Sequence, residues 1–162
     1  MLHHALSLIF AVRPKAVYAI LRNRLATMVP LNTLLGIDIT AVGDGTAEAR
    51  LPMRKELTNH IGSMHATAIF GLAEAASGGA MSGAFAPVVT TIRPVAASAS
   101  VEFIKIARDD LIAHAKTEDS PAALRRALAE DGKVAFDVLV DVQDAAGAEI
   151  ARIRVGWHVK PK

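Results

Sequence analysis

The sequence predicts an α+β domain in which strands gather around one apolar helix. Three observations carry that expectation. Residues 61–92 run with a single charged side chain, Glu74, and no other Asp, Glu, Lys or Arg lies between Lys55-Glu56 and Arg93. Ahead of this stretch, two short alternating runs flank Gly43-Asp44-Gly45, the pattern of a hairpin. Behind it come four more extended runs separated by turn residues, so strands outnumber helices.

The bulk numbers fit one domain. With 162 residues and 52% apolar residues, the chain can bury a core without staples. Aromatics make up only 4%, and alanine and glycine fill their place, so the core relies on close backbone approach. There is no cysteine, which excludes disulfides, a thiol nucleophile and thiolate metal sites. That fits a reducing cytoplasm, the expected location. Eighteen basic residues are scattered among sixteen acidic ones for a net charge of +2, so no nucleic-acid partner is expected.

Taken in order, Met1–Val12 is apolar but lacks a basic stretch ahead of it, and Pro14-Lys15 stands where small cleavage-site residues would be needed. It is also shorter than the roughly 20 residues that span a bilayer. Residues 14–29 place Val17, Ile20, Leu21, Leu25 and Met28 at helical spacing, with Arg13, Lys15, Arg22, Asn23 and Arg24 largely off that stripe. An amphipathic helix laid on the core is expected, without contact to a membrane surface. Residues 1–30 thus form an N-terminal helical segment and 31–162 the main domain. The hairpin pairs 37–42 with 46–51. A helix follows over 64–78, then a connection over 79–94 rich in Gly, Ala, Ser and Pro.

Residues 99–108 and 110–118 read as strands joined at Arg108-Asp109-Asp110. Ser120-Pro121 opens a short helix as N-cap and first residue, Leu124, Ala127 and Leu128 form its stripe, and Gly132 ends it. The last two strands, 133–143 and 148–159, flank Asp144-Ala-Ala-Gly147. A four-residue loop sets Val142 opposite Glu149, Val138 opposite Ile153 and Phe136 opposite Val155, with Asp137 opposite Arg154 on the other face.

Glu74 carries the chemistry. Its helix is apolar all round, so burial on every side is expected. A buried carboxylate is costly unless paired or protonated, and no basic residue lies near it in sequence. It is either a general base or nucleophile with a perturbed pKa, or the partner of a distant Arg or backbone amide that only orders the core. His65 lies nine residues earlier, which at about 100° per residue puts the two on opposite sides of a regular helix. That spacing suits a two-fold dimer, in which the start of one helix faces the middle of its partner.

The pattern Asn59-x-x-Gly62-x-x-His65-Ala66 followed by Leu72-Ala73-Glu74 is similar to the motif of hotdog-fold acyl-CoA thioesterases of the phenylacetate-pathway and 4-hydroxybenzoyl-CoA types. It looks closest to the branch related to the C-terminal domain of YiiD-type acetyltransferases. Val101-Glu-Phe-Ile-Lys105 with Arg108-Asp-Asp resembles a further family segment, and the resemblance covers residues 30–160. It implies a hotdog fold, a homodimer or dimer of dimers, and hydrolysis of an acyl-CoA or related thioester. Glu74 would then be the catalytic carboxylate, and the Ala66 N–H would polarise the thioester carbonyl. Asn59 would orient water or the carboxylate, and His65 would contact the thioester or leaving group. Gly62, Thr67, Lys105 and Arg108 would meet substrate. The chain departs from the family at Ala66-Thr67, where Gly-Gly is usual, and at Ile106, where proline is usual.

The alternative to an enzyme is a non-catalytic acyl-ligand binder or dimeric scaffold. No metal is expected, because His3-His4, His60, His114 and His158 show no ligand spacing. No cofactor is expected beyond the coenzyme A of the substrate. Gly78-Gly79 and Gly83 lack the strand that a phosphate loop needs and are expected to allow tight packing. Lys105 and Arg108 either meet coenzyme A phosphates or are solubilising charge.

Overall fold

The computed structural model describes Phe10 and residues 13–162. The rest of the first twelve residues lies outside the described residues, and with it the targeting question and His3-His4. Helix α1 spans Pro14–Met28 and α2 spans Pro30–Leu35. Strands β1, Asp38–Gly43, and β2, Thr46–Leu51, form the expected hairpin, and Gly45 takes the positive φ of its two-residue turn. A 3-10 turn at Lys55–Leu57 leads to the central helix α3, Ala66–Ala84. A second 3-10 stretch, Ala86–Thr91, precedes β3, Ile92–Phe103, and β4 is Leu111–Thr117. Helix α4, Pro121–Asp131, and strands β5, Val134–Asp144, and β6, Glu149–Pro161, complete the chain.

The six strands form one antiparallel sheet in the order β1-β2-β4-β5-β6-β3. Helix α3 packs on one face, mainly against β2 and β4. Strands β2, β4, β5 and β6 turn alternate apolar residues toward it into burial, among them Leu51, Leu111, Val138, Val140, Val155 and Val159. A sheet gathered around one apolar helix is the hotdog arrangement expected from sequence.

Four local expectations are corrected. The helix does not stop at residue 78. Its Gly- and Ser-rich second half reads as a connection, yet those small residues are what let it lie against the first hairpin. A Cβ on Gly79 would stand 2.8 Å from the Ala47 Cβ, and one on Gly83 would run into the Gly43 carbonyl. The segment 99–108 starts earlier, at Ile92, and does not turn back on β4. Strand β3 pairs with β6, while β4 lies between β2 and β5. Turn residues at 108–110 suggested a hairpin, but they close a loop that crosses to the other side of the sheet.

The β5–β6 register is shifted by two residues from the expected one, so that Val138 faces Val155, Phe136 faces Trp157 and Gln143 faces Glu149. An irregularity between Val142 and Gln143 leaves Ile150 unpaired in that ladder, and its carbonyl accepts from Ile104 and Lys105 instead. Faces are preserved by an even shift, and Asp137 still meets Arg154, at 2.8 Å along the diagonal. Finally, α1 buries only Val17 and Leu21 of its stripe, while Ile20 and Met28 are exposed. The helix α2 was not anticipated from sequence; the Arg54 guanidinium closes its end by donating to the Leu34 and Leu35 carbonyls.

The ends of α4 form as expected. The Ser120 hydroxyl accepts from the Ala123 N–H, and Gly132 takes the left-handed conformation after the last turn. The same helix secures α3, because Arg125 donates both to the Ala84 carbonyl at the end of α3 and to Asp44 in the hairpin turn.

Candidate active site

Residues 58–66 build the entry to α3. Asn59 folds the loop onto itself: its Oδ1 accepts from the Ile61 and Ser63 N–H groups, and its Nδ2 lies 2.9 Å from Ser63 Oγ. Gly62 takes φ +73° in the same turn, and a Cβ there would meet nothing within 4 Å. These two residues of the motif therefore shape the loop, and the Asn59 amide is held by it.

His65 is the N-cap of α3. Its Nδ1 accepts from the Thr67 N–H at 3.1 Å, and its carbonyl accepts from Ala68 and Ile69. Thr67 and Ala68 thus have partners at the helix start, whereas the Ala66 N–H has no acceptor among the described residues. Ala66 is exposed. An unengaged N–H at the positive end of a 19-residue helix is a ready donor to a developing oxyanion. The Met64 N–H, donating to the Ala107 carbonyl at 2.8 Å, ties this entry to the loop after β3 that carries Lys105 and Arg108. Both of those are exposed, and no ion pair engages either among the described residues.

The expectation that α3 is buried on every side is corrected. Thr67, Phe70, Gly71, Glu74 and Gly78 form an incompletely buried stripe at spacings of three and four, while the rest of the helix between Ala68 and Ala84 is buried. Glu74 is half-buried on this stripe. Among the described residues its carboxylate makes no hydrogen bond and no ion pair, and burial holds its pKa above the ordinary carboxylate value. Among the described residues neither an arginine nor a backbone amide pairs with Glu74, as the purely structural reading would require.

The turn that carries Glu74 is fixed from behind. Ser77 Oγ donates to the Glu74 backbone carbonyl at 2.7 Å and accepts from Trp157 Nε1 on β6 at 3.3 Å. Glycines flank the carboxylate on both sides of its stripe, with Leu35 of α2 capping Gly71 and the Trp157 ring beside Gly78. Phe70, Gly71 and Ser77 escape notice in the sequence, and Gly78 is noted there only as a residue that allows tight packing. Only their spacing of three and four from Glu74 marks them, and in a uniformly apolar helix that spacing singles out nothing.

Within one chain His65 and Glu74 stay apart, separated by nine residues or about 13 Å of helix rise. Two hollows of the protomer, of about 600 and 840 Å³, are lined mainly by residues of the sheet and α4, without Glu74. A single chain therefore gives the carboxylate a wall and leaves its other side open. Strand β3 is the last strand of the sheet, next to β6, and its outer edge is unpaired among the described residues. Ala99, Val101 and Phe103 lie opposite the buried Val155, Ile153 and Ala151, on the face of α3, yet all three are exposed, Phe103 by 51%. A free twelve-residue edge with an apolar face calls for a cover.

A family model described as a domain of unknown function, DUF4442, matches residues 18–159, and the chain belongs to that family. No curated protein matches it in sequence. Solved structures share the fold. Protein PA5026 of Pseudomonas aeruginosa, described as a probable thioesterase, is 23% identical over 89% of this chain and 95% of its own, with a TM-score of 0.75. Thioesterase HI1161 of Haemophilus influenzae is 18% identical over 86% and 87%, with a TM-score of 0.69. The PaaI protein of the E. coli phenylacetic acid degradation operon is 20% identical over 80% and 83%, with a TM-score of 0.60. The chain thus has the hotdog fold of these proteins.

Proposed function

We propose that the protein is a thioester hydrolase, acting on an acyl-CoA or related acyl thioester, and that its working unit is a homodimer joined along the free edge of β3. One observation carries this reading: a half-buried carboxylate shares a helix with the N–H at its start, and neither has a partner among the described residues. A two-fold pairing of the β3 edges would set the two α3 helices side by side, running in opposite directions. The Ala66 N–H of one protomer would then face Glu74 of the other, and the open side of the carboxylate would be closed. The thioesterase descriptions of the structural neighbours support the same class of reaction.

In this site the Ala66 N–H and the positive helix end polarise the thioester carbonyl. Glu74 takes a proton from water as the oxygen bonds to the carbonyl carbon, or attacks that carbon itself and is released by water afterwards. Collapse of the tetrahedral intermediate breaks the C–S bond, and the products are a carboxylic acid and a free thiol. No metal enters the scheme. His65 sits at the rim as the cap, and Lys105 and Arg108, on the loop tied to it, offer positive charge to the carrier end of the substrate.

The test is thiol release from a panel of acyl-CoAs. The wild-type protein is expected to hydrolyse at least one member, and Glu74→Gln to lower kcat/KM by about 100-fold or more. Activity untouched by Glu74→Gln would contradict the mechanism. The non-catalytic reading has one observation in its favour: Thr67, where the family resemblance implies glycine, puts a side chain on the same helix stripe as Glu74. It predicts acyl-CoA binding with no thiol release across the whole panel.

A further inference from the structure

A second cluster of chemistry lies on the opposite face of the sheet from α3, at the end where β3 begins. Arg93 of β3 and Lys160 of β6 are directly opposite one another. Lys133 immediately precedes Val134, which faces Val159, so the same row continues onto β5 with a third positive charge. Like charges directly opposite on neighbouring strands are destabilising. All three side chains are exposed, and none is in an ion pair among the described residues. In the next row, His158 stands between Val95 and Ala135.

These residues line one groove of about 840 Å³. A bulge between Ala96 and Ser98 leaves the small Ala97 in its wall, which keeps the groove open. Its one acid, Asp131, lies more than 4 Å from every cation of the row, since it forms no ion pair. Elsewhere on the same face charge is treated differently. Arg154 is satisfied by Glu118 and Asp137, and Arg152 by Glu149.

We propose that this groove binds a phosphorylated ligand of nucleotide size, with phosphates on the Arg93–Lys160–Lys133 row and the less polar body over Val95, Ala97 and Ala135. Three cations in one row, none held in an ion pair among the described residues, select a polyanion. The apolar floor and the volume select a ligand with a body, over a bare ion. The site is separate from Glu74, and its occupancy does not depend on thioester hydrolysis.

The probes are ADP, adenosine and inorganic phosphate, titrated calorimetrically into the full chain at low ionic strength. ADP is expected to bind at least about tenfold more tightly than phosphate, and adenosine not to bind measurably. Lys160→Glu should weaken ADP by at least about tenfold, while Lys116→Glu, the same charge change elsewhere on this face, should leave it within about twofold. Relief of the like-charge row gives a second readout: Lys160→Gln and Arg93→Gln should melt no lower than wild type while binding ADP more weakly. Any of three results would overturn the site: no ADP binding at millimolar concentration by folded wild-type protein, equal loss in Lys116→Glu, or adenosine or phosphate binding as tightly as ADP.

Discussion

Partial burial of Glu74 disfavours its charged form relative to water, and the cost has a sign that can be measured. Burial raises its pKa, so between the ordinary carboxylate range and that raised value the folded protein binds more protons than the unfolded chain. Stability from this group therefore falls as pH rises through that window. Glu74→Gln should melt at a higher temperature than wild type at neutral pH, and the difference should vanish below about pH 4, where both states are protonated. The activity should have an acid limb in kcat/KM with its midpoint above the usual value of about 4.3 for a glutamate, and Glu74→Gln should abolish that limb. This residue is legible in the sequence because a lone charge in an apolar run has a physical cost that asks for an explanation. Asn59 is legible only as part of a motif; its amide turns out to be spent on the 59–63 loop, a local hydrogen-bond geometry that spacing alone does not encode.

At the scale of elements, α3 works because its second half is nearly smooth. Gly79 and Gly83 bring the helix axis close to β1 and β2, and Arg125 then closes its last turn. Gly83→Ala should cost about 1–3 kcal/mol by overpacking against the Gly43 carbonyl, read as a lower denaturation midpoint with an unchanged slope. Gly78→Ala, whose Cβ would sit in ordinary contact at 3.8 Å from Trp157, should be tolerated far better. Their purpose, tight packing, is readable from the sequence, and the structure bears it out at Gly79 and Gly83; their low helix propensity hides that they belong to the helix. The first hairpin, the capped α4 and the alternation of β5 and β6 were all readable, because each is set by residues close together in the chain. The partner of β3 and the two-residue register shift were not. One depends on a connection that crosses the sheet, and the other on a bulge whose unpaired carbonyl finds donors some 45 residues away.

For the whole molecule, the unpaired edge of β3 is the feature that the rest of the architecture leaves unresolved. Its apolar residues Ala99, Val101 and Phe103 lie on the α3 side of the sheet, and the proposed association along this edge would cover them. Phe103→Lys or Val101→Lys, which place a charge on that face, should weaken the dimer by at least about tenfold in sedimentation equilibrium and lower thioester hydrolysis in step with dissociation. Lys116→Glu, on the outer face, should leave the assembly unchanged. The most direct test of the composite site is subunit complementation. Ala66→Pro removes only the N–H proposed to polarise the carbonyl, at a first helical position where proline is well accommodated, and His65 already has an extended backbone suited to precede it. Glu74→Gln removes only the carboxylate. Each variant alone should be inactive. Equal amounts, unfolded together and refolded or left to exchange, should recover about a quarter of wild-type activity, because half the dimers are mixed and one of the two sites in each is intact. Mixed dimers that form and stay inactive would show that Ala66 and Glu74 do not act across the interface, and would contradict the account.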